Sequence, residues 1–413
     1  MKKLRVGILF GGRSGEHEVS LLSAASVLEA IDKSKYEVVP IGITKQGRWV
    51  TSLHAEKLLR GKSTGEDPST GSGQAKNRAS QASEGAPQHL RAGDPQATSA
   101  AAVLASGDGV IVPPMPAAGD LMPFETDPPA QAGPQSVQVD VIFPVLHGTF
   151  GEDGTIQGLL ELADIAYVGA GVLGSAAGMD KDVMKRLFKA AGLAIVKHVT
   201  VLRHEWQSDP KRARKKIENS LQYPMFVKPA NLGSSVGISK VHLPSELAAA
   251  MDEAARYDRK IVIEQGVGGV RGKARELECS VLGNDEPQAS VPGEIVPSAE
   301  FYDYRAKYLD EGSELLIPAK ISKAQAQQVQ QMAIAAFQAV DCCGLARVDF
   351  LMDPKSKKIY VNEINTMPGF TAISMYPKLW AASGVQYPEL IDRLIQLGLE
   401  RHREKQKNRY SRE

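Results

Sequence analysis

Apolar residues along the chain keep two rhythms, one of unbroken runs and one of helical spacing. Residues 4–10, LRVGILF, form a run that stops at Gly11 and Gly12, as a buried strand does before a turn. Leu21, Ala24, Ala25, Leu28 and Ile31 then recur at helical spacing, and residues 36–43, YEVVPIGI, make a second run. Strand, helix, strand predicts the opening of a parallel α/β sheet. From about 61 to 107 the pattern dissolves into Gly, Ser, Ala, Gln and Pro. Such a stretch buries too little apolar surface to offset its ordering entropy, so a disordered surface insertion is expected there. The pattern returns as a short strand in GVIVPP (109–114). A strongly β run, VQVDVIFPVL (137–146), then delivers His147 and Gly148 at its end.

A helix is predicted over 180–191, with Asp180 as N-cap, Val183, Met184, Leu187, Phe188 and Ala191 as its apolar stripe, and Gly192 as its end. Lys181 sits in the first turn, where the helix dipole disfavours a cation; it is either simply solvated or set against an anionic ligand. YPMFVKPANLGSSVGISKV (223–241) reads as strand, glycine loop and strand, and KIVIEQGV (260–267) and ARELECSVLG (274–283) as further strands. Residues 324–340 place Val329, Met332, Ala333, Ala336, Phe337 and Val340 on one helix face. GLARVDFLMD (344–353) and KKIYVNEINT (357–366), joined through DPKSKK, predict an antiparallel pair. The polar end of the chain from 399 is expected to fray.

The 413 residues suggest two or three domains. Lys and Arg total 49 against 48 for Asp and Glu, a formal charge of +1, which gives no electrostatic case for a nucleic-acid or membrane partner. No apolar run is long enough to span a bilayer. The run after MKK stops at Gly-Gly, without the longer core and cleavage site of a signal peptide, so a cytoplasmic protein is expected. Cys279, Cys342 and Cys343 have neither a disulfide framework nor a metal spacing, and the adjacent pair reads as helix-end core. Gly169-x-Gly171-x-x-Gly174 has the spacing of a dinucleotide fingerprint. The chain has spent its first strand–helix turn elsewhere, and no acidic residue closes a second strand at the right distance, so a linking glycine turn is expected. A nicotinamide enzyme built on it would also leave the polar strand pair unexplained.

That strand pair carries the chemistry. In ARVDFLM, Arg347 and Asp349 share one face, and alternation puts Glu363 and Asn365 on one face of the next strand together with Val361. Paired, Asp349, Glu363 and Asn365 offer two carboxylates and an amide oxygen, a hard-oxygen set suited to Mg2+, or else a solvent-facing acidic ribbon. Lys228 ends the run MFV just before Pro229 and the loop 231–237. The small residues of that loop, Ser234 and Ser235 among them, let backbone N–H groups approach phosphate oxygens, although a plain hairpin has the same pattern. No GxxxxGK[ST] occurs, so this is no P-loop. Together the lysine, the loop and the acidic pair describe a nucleotide held between two sheets, with Glu264 at a hinge beside the base and Glu276 one strand further on.

At these segments the chain resembles the D-alanine–D-alanine ligase family of the ATP-grasp superfamily. GGRSGEHEVSL (11–21), VLHGTFGEDGTIQG (145–158), GAGVLGSAAGMDK (169–181), FVKPANLGSSVGISKV (226–241), FYDYRAKY (301–308), ARVDFLM (346–352) and NEINTMPGFTAISMYP (362–377) carry the resemblance, in order, over nearly the whole chain. The main departure is the 61–107 insertion. The resemblance implies an N-terminal parallel α/β domain (1–170), then an ATP-grasp fold of two α+β subdomains (171–265 and 266–405) and a polar tail (406–413). It implies ATP-dependent joining of two D-alanines through an acyl phosphate, for peptidoglycan precursors. Two Mg2+ ions, replaceable by Mn2+, are then held by Asp349, Glu363 and Asn365, and ATP by Lys181, Lys228, Ser235, Glu264, Glu276 and Lys307.

By the same resemblance Arg347 faces the oxyanion of the tetrahedral intermediate. Glu16 anchors the ammonium of the first D-alanine, linked to Ser234 and Tyr308, and His147 lines that site. Gly369 and Ser374 receive the carboxylate of the second D-alanine. FYDYRAKY becomes a loop that closes over ATP, and its Tyr308 points to D-alanine, rather than D-lactate or D-serine, as second substrate. A homodimer through the N-terminal domain is implied. A non-catalytic ATP-binding protein on this scaffold would lack Arg347, a metal ligand or Lys228, and the chain has all of them.

Overall fold

The computed structural model describes residues 3–51, 100–101, 103–104, 108–113, 119–123, 137–269, 272–296 and 314–412. The N-terminal part is one sheet of β1 (Leu4–Gly11), β2 (Tyr36–Ile43), β3 (Trp49–Thr51), β4 (Asp108–Ile111), β5 (Asp120–Pro123), β6 (Val137–Gln138) and β7 (Val141–Pro144), in the order β6-β5-β4-β3-β2-β1-β7. The predicted parallel core is present: β1 runs parallel to β2 and to β7, with α1 (His17–Ala30) as the crossover from β1 to β2. Beyond β2 the sheet turns antiparallel. Residues 44–48 are too short for a crossover, so β3 can return only antiparallel. Only Val139 and Asp140 separate β6 from β7, which stand at opposite ends of the order, so the sheet curls until its edges meet.

Most of the expected insertion lies outside the described residues. Its end does not match the expectation of disorder: residues 100–101 and 103–104 are helical, and Ala100 and Val103 are fully buried in the core beside Phe10 and Val50. Leu104 packs against the same core.

Helices α2 (Thr155–Leu162), α3 (Val172–Met179) and α4 (Lys181–Ala190) lead out of this part. Asp180 caps α4 as predicted, accepting from the N–H groups of Asp182 and Val183. Gly169 supplies a left-handed turn (φ +99°) before α3, and a Cβ at Gly174 would sit 2.7 Å from the carbonyl oxygen of Asp341, so these glycines serve turning and close packing.

The second sheet is antiparallel, in the order β10-β9-β11-β8, from β8 (His198–Leu202), β9 (Met225–Pro229), β10 (Ser239–Val241) and β11 (Lys260–Gln265). Helices α5 (Arg203–Ser208), α6 (Pro210–Ser220) and α7 (Leu247–Tyr257) cover it through Trp206, Ile217, Leu247 and Met251. The third sheet joins β12 (Arg275–Gly283), β13 (Gln288–Ala289), β14 (Gly293–Val296), β15 (Glu314–Leu316), β16 (Gly344–Met352) and β17 (Ile359–Asn365). Its core is closed by α8 (Lys323–Ala339), which Ser322 and Gln325 cap reciprocally. The cysteines are free; Cys342 and Cys343 follow α8 rather than end it, and Cys279 and Cys342 are buried.

Strands β16 and β17 pair as predicted, with one correction. Asp349 stands opposite Glu363, but the next pair is Phe350 with Val361, so Asn362 is an extra residue, a β-bulge. The bulge reverses the alternation: Val361 turns into the core, and Glu363 and Asn365 face away from it, not with it.

The tail corrects another expectation. Helix α10 (Tyr387–Lys405), which follows α9 (Met375–Ala382), runs well past 399. Arg401 stacks on Tyr167 at 4.0 Å, Lys405 pairs with Glu161, and Gln406 bonds Asp164. The apolar side of α10 (Leu390, Ile391, Leu394, Ile395) shares one core with Val6, Ile8, Val141 and Phe143 of the first sheet and with Leu345, Phe370 and Tyr376. Among the described residues no helix is long and apolar enough to cross a membrane.

Phe370 is the hub of that shared core, with ring centroids 5.4 Å from Phe143 and 5.6 Å from Tyr387. Phe370→Ala is expected to cost about 3–5 kcal/mol of stability. A urea-unfolding midpoint unchanged from that of the unmodified chain would contradict this.

Candidate active site

Three cavities meet where the sheets face one another. The first, between the second and third sheets, has an apolar part (Phe226, Ile238, Leu277, Leu351) and a charged part (Lys228, Glu264, Glu276, Glu278, Asp349, Glu363). Ser235 and Glu363 connect it to a second, lined by Lys181 and the 232–235 loop. Glu152, Ser234 and Asn365 connect that one to a third, which holds Glu16, His147, Arg347, Gly369 and Ser374. Every predicted site residue among the described ones thus lines one continuous cleft; Lys307 and Tyr308 lie outside the described residues.

The cationic end is built on buried pairs. Lys228 leaves β9 with its Nζ 2.7 Å from one oxygen of Glu264 on β11, whose other oxygen is 2.8 Å from Lys185 Nζ. Burial opposes the charge on Glu264, but the two ammonium groups outweigh it and hold its carboxyl far below the usual range. Burial pulls Lys185 and Lys181 down and opposes the charge on Lys228 too, but Glu264, with Glu363 and Glu276, outweighs it there and leaves Lys228 raised. Glu264, expected beside a base, lines the first cavity with its carboxylate paired to these two lysines. Lys181 donates to the carbonyl of Leu232 at 2.8 Å and lies 4.0 Å from Glu363, so the first-turn cation is buried against the loop and not solvated. The loop is pinned at its base by Asn231 to Asp258, and at its tip Ser234 and Ser235 take left-handed backbone (φ +50° and +58°). Non-glycine residues in that region store strain, and both serines line the cleft.

The carboxylates stand in a row across three strands. Glu278 on β12 is opposite Asp349 on β16, which is opposite Glu363 on β17. Arg347 grips Asp349 through Nε (2.7 Å) and Nη2 (2.8 Å), and its Nε is 3.0 Å from Glu278. Asn365 Nδ2 donates to the same Asp349. Among the described residues no group of three His, Cys, Asp or Glu side chains gathers as a metal site. Two carboxylates and an amide still fit a hard divalent cation whose other positions go to phosphate and water, and only the bulge turns Glu363 and Asn365 to the same side as Asp349.

The far end joins distant parts of the chain. The Glu16 carboxylate lies against Gly148 and Gly233, where a Cβ would come within 2.6 and 3.4 Å of it. His147 Nδ1 donates to the carbonyl of Met367, Nε2 accepts from Ser23 Oγ, and Ser23 Oγ accepts from Phe370 N–H. Burial lowers the His147 pKa to about 4, so the ring is neutral, with both nitrogens engaged by the protein. These bonds tie His147 to the 367–370 wall of the third cavity, which it also lines. Ser374 stands just before α9 at its N-cap position, accepts from Thr371 N–H and sits beside Gly369.

Glu152 and Glu278 were missed in the sequence. Glu152 sits in a Gly-Glu-Asp-Gly turn and looks like loop polarity; it accepts from Gly148 N–H and Met367 N–H and lines two of the cavities. Glu278 did leave a signal, since Glu276 and Glu278 alternate with Leu277 and Cys279 along one strand.

Two antiparallel sheets that clasp a charged cleft, with a small-residue loop on one and a row of carboxylates on the other, follow an α/β domain: this is the ATP-grasp architecture. Residues 5–170 match the family described as D-ala D-ala ligase N-terminus, and residues 187–396 that described as D-ala D-ala ligase C-terminus. A D-alanine–D-alanine ligase of Heliobacterium modesticaldum is 48% identical over 99% of this chain and 98% of its own, and one of Geobacillus kaustophilus is also 48% identical over the same shares. The solved D-alanine–D-alanine ligase of Coxiella burnetii superposes with a TM-score of 0.73 at 34% identity, covering 98% of this chain and 97% of its own. The VanG D-Ala:D-Ser ligase of Enterococcus faecalis superposes with a TM-score of 0.75 at 33% identity, covering 96% and 100%. The chain belongs to the D-alanine–D-alanine ligase family.

Burial, and then repulsion from Glu16, raise the Glu152 pKa from 4.5 to about 8. An acid with a raised folded pKa stabilises the fold fully below its unfolded pKa of 4.5 and loses that contribution as pH rises toward 8. Glu152→Gln is therefore expected to flatten the fall in stability across that window. Urea unfolding at both ends of it checks this, and an unchanged slope would contradict it.

Proposed function

We propose that this chain joins two D-alanines to D-alanyl-D-alanine for peptidoglycan precursors, cleaving ATP to ADP and phosphate. A carboxylate oxygen of the first D-alanine attacks the γ-phosphorus of ATP, and ADP leaves. The amine of the second then attacks the acyl-phosphate carbon, and phosphate leaves. What supports this reading is the continuity of the cleft: the lysine-lined cavity opens through Ser235, Glu363 and Asn365 into the one that holds Glu16 and Arg347. A carboxylate at one end can therefore meet a phosphate coming from the other, and positioning of that kind is the main source of rate in phosphoryl transfer.

Lys181 and Lys228 face phosphate oxygens, and Ser235 with its neighbours covers them. The base lies in the apolar part, beside Phe226 and Leu351. Glu264 serves ATP through Lys228, and Glu276 and Lys307 complete the set. Asp349, Glu363 and Asn365 hold two Mg2+ ions, or Mn2+ in their place, which neutralise phosphate charge when bound. Glu16, with Ser234 and Tyr308, takes the ammonium of the first D-alanine, and Gly369 and Ser374 the carboxylate of the second. Arg347, fixed by Asp349 and Glu278, brings permanent charge to the oxyanion of the tetrahedral intermediate. The chain divides at about 170 and 265 into an N-terminal α/β domain and two clasping subdomains, and it works as a homodimer in the cytoplasm. The likeness to a D-Ala:D-Ser ligase makes D-serine the competing second substrate, with D-lactate as a further one.

Phosphate release from ATP with Mg2+ is expected with D-alanine alone, and the dipeptide is expected by mass. Release only when D-serine or D-lactate is added would replace D-alanine as second substrate; no release under any condition would refute the ligase reading. Arg347→Met is expected to lower kcat by about 10²–10³-fold. A loss confined to KM for ATP would place Arg347 at the nucleotide instead.

A further inference from the structure

Lys185 has no part in the reaction above, yet its side chain is completely buried at the centre of the clasp. A buried ammonium is costly unless it is fully paired. This one has two partners on two different sheets. Its Nζ lies 2.8 Å from Glu264 on β11, and it donates at 3.0 Å to the backbone carbonyl of Asn362 on β17. Glu264 passes the contact on to Lys228 at 2.7 Å. Asn362 is the bulge residue, without a partner in the β16–β17 register, and the residue after it is Glu363.

We propose that Lys185 is a positioning residue that sets, from one buried point, both the Lys228 ammonium and the bulge that turns Glu363 and Asn365 into the cleft. By holding one oxygen of Glu264 it leaves only the other for Lys228, which fixes where that ammonium stands. By taking the Asn362 carbonyl it stabilises the extra residue that the β16–β17 register leaves without an opposite partner. Lys181, one turn earlier on α4, touches the 232–235 loop and Glu363, so a single helix face sets loop, lysine and carboxylates together. The inference rests on the reading of Lys228 as a phosphate-facing group and of Glu363 and Asn365 as cation ligands.

The test is calorimetry of ADP binding with and without Mg2+, in the absence of any amino acid, on the full chain. Lys185→Met is expected to bind ADP with Mg2+ about 10–100-fold more weakly, the range for losing a group that orients metal ligands. The tightening of ADP by Mg2+ should shrink, amide exchange over 362–365 should speed up, and KM for D-alanine should stay within about twofold. Glu264→Gln keeps the bond to Asn362, so it should weaken ADP alone but retain the Mg2+ effect. If Lys185→Met does not fold, Lys185→Gln is measured in its place, with the same loss expected. Binding of Mg2+ and ADP like that of the unmodified chain overturns the proposal. So does an equal loss with and without Mg2+ joined to a raised KM for D-alanine, which marks a merely structural lysine. An unmodified chain whose ADP binding ignores Mg2+ overturns the nucleotide-site reading itself, a result seen before any variant is made.

Discussion

A strand must alternate its side chains, and β17 escapes that constraint through a single inserted residue. Ile359, Val361 and Ile364 all reach the core of the third sheet, although strict alternation would leave Ile364 out of phase with the other two. Were Asn362 held in the regular ladder, Glu363 would fall on the face of Val361 and turn in among Val329, Ala333 and Phe337. An unpaired carboxylate there would cost several kcal/mol, and the cleft would lose two of its three oxygen donors. The bulge is what lets one short strand serve an apolar core and a charged site together.

Around it, charge is balanced in layers. The carboxylates of Glu278, Asp349 and Glu363 cross three strands in register, answered by Arg347 from within the sheet and by Lys181 from α4. Lys228 and Lys185 share Glu264. Because these groups are held by protein partners, their orientation is set before any substrate arrives, and little reorganisation is left for the reaction. The far wall follows the same logic with neutral groups: Ser23, His147, Met367 and Phe370 form a relay whose donor directions are fixed by the backbone carbonyl at one end and the backbone N–H at the other.

Much of this was legible along the chain. The parallel centre of the first sheet, the cap at Asp180, the strand–loop–strand around Lys228 and the β16–β17 pair all follow from apolar periodicity and turn residues, and Asp349 was rightly placed beside Glu363. The faces of β17 were not, because a bulge is one inserted residue and leaves periodicity on each side intact. Lys185 was passed over because a stripe is sought among apolar residues, yet its four-residue step from Lys181 marks the buried face of α4. The end of the chain looked frayed because it is polar, but its polar groups are the ones that bind Tyr167, Glu161 and Asp164. Pairing between such distant segments cannot be read from local pattern.

The shared core also orders the events of synthesis. A chain emerges from the ribosome N-terminus first, so β1, α1 and β7 are available long before α10. The apolar face made by Val6, Ile8, Val141 and Phe143 is nevertheless sealed by Leu390, Ile391, Leu394 and Ile395, which follow the third sheet in the chain. The nascent first sheet therefore keeps an open hydrophobic side until the third sheet has been made. Phe370 and Met367, which close the wall around His147, arrive late as well. A chain ended before Met367 would have its glycine turns and Glu16 but not the wall around His147, so this pocket is enclosed only once the segment after β17 has been made.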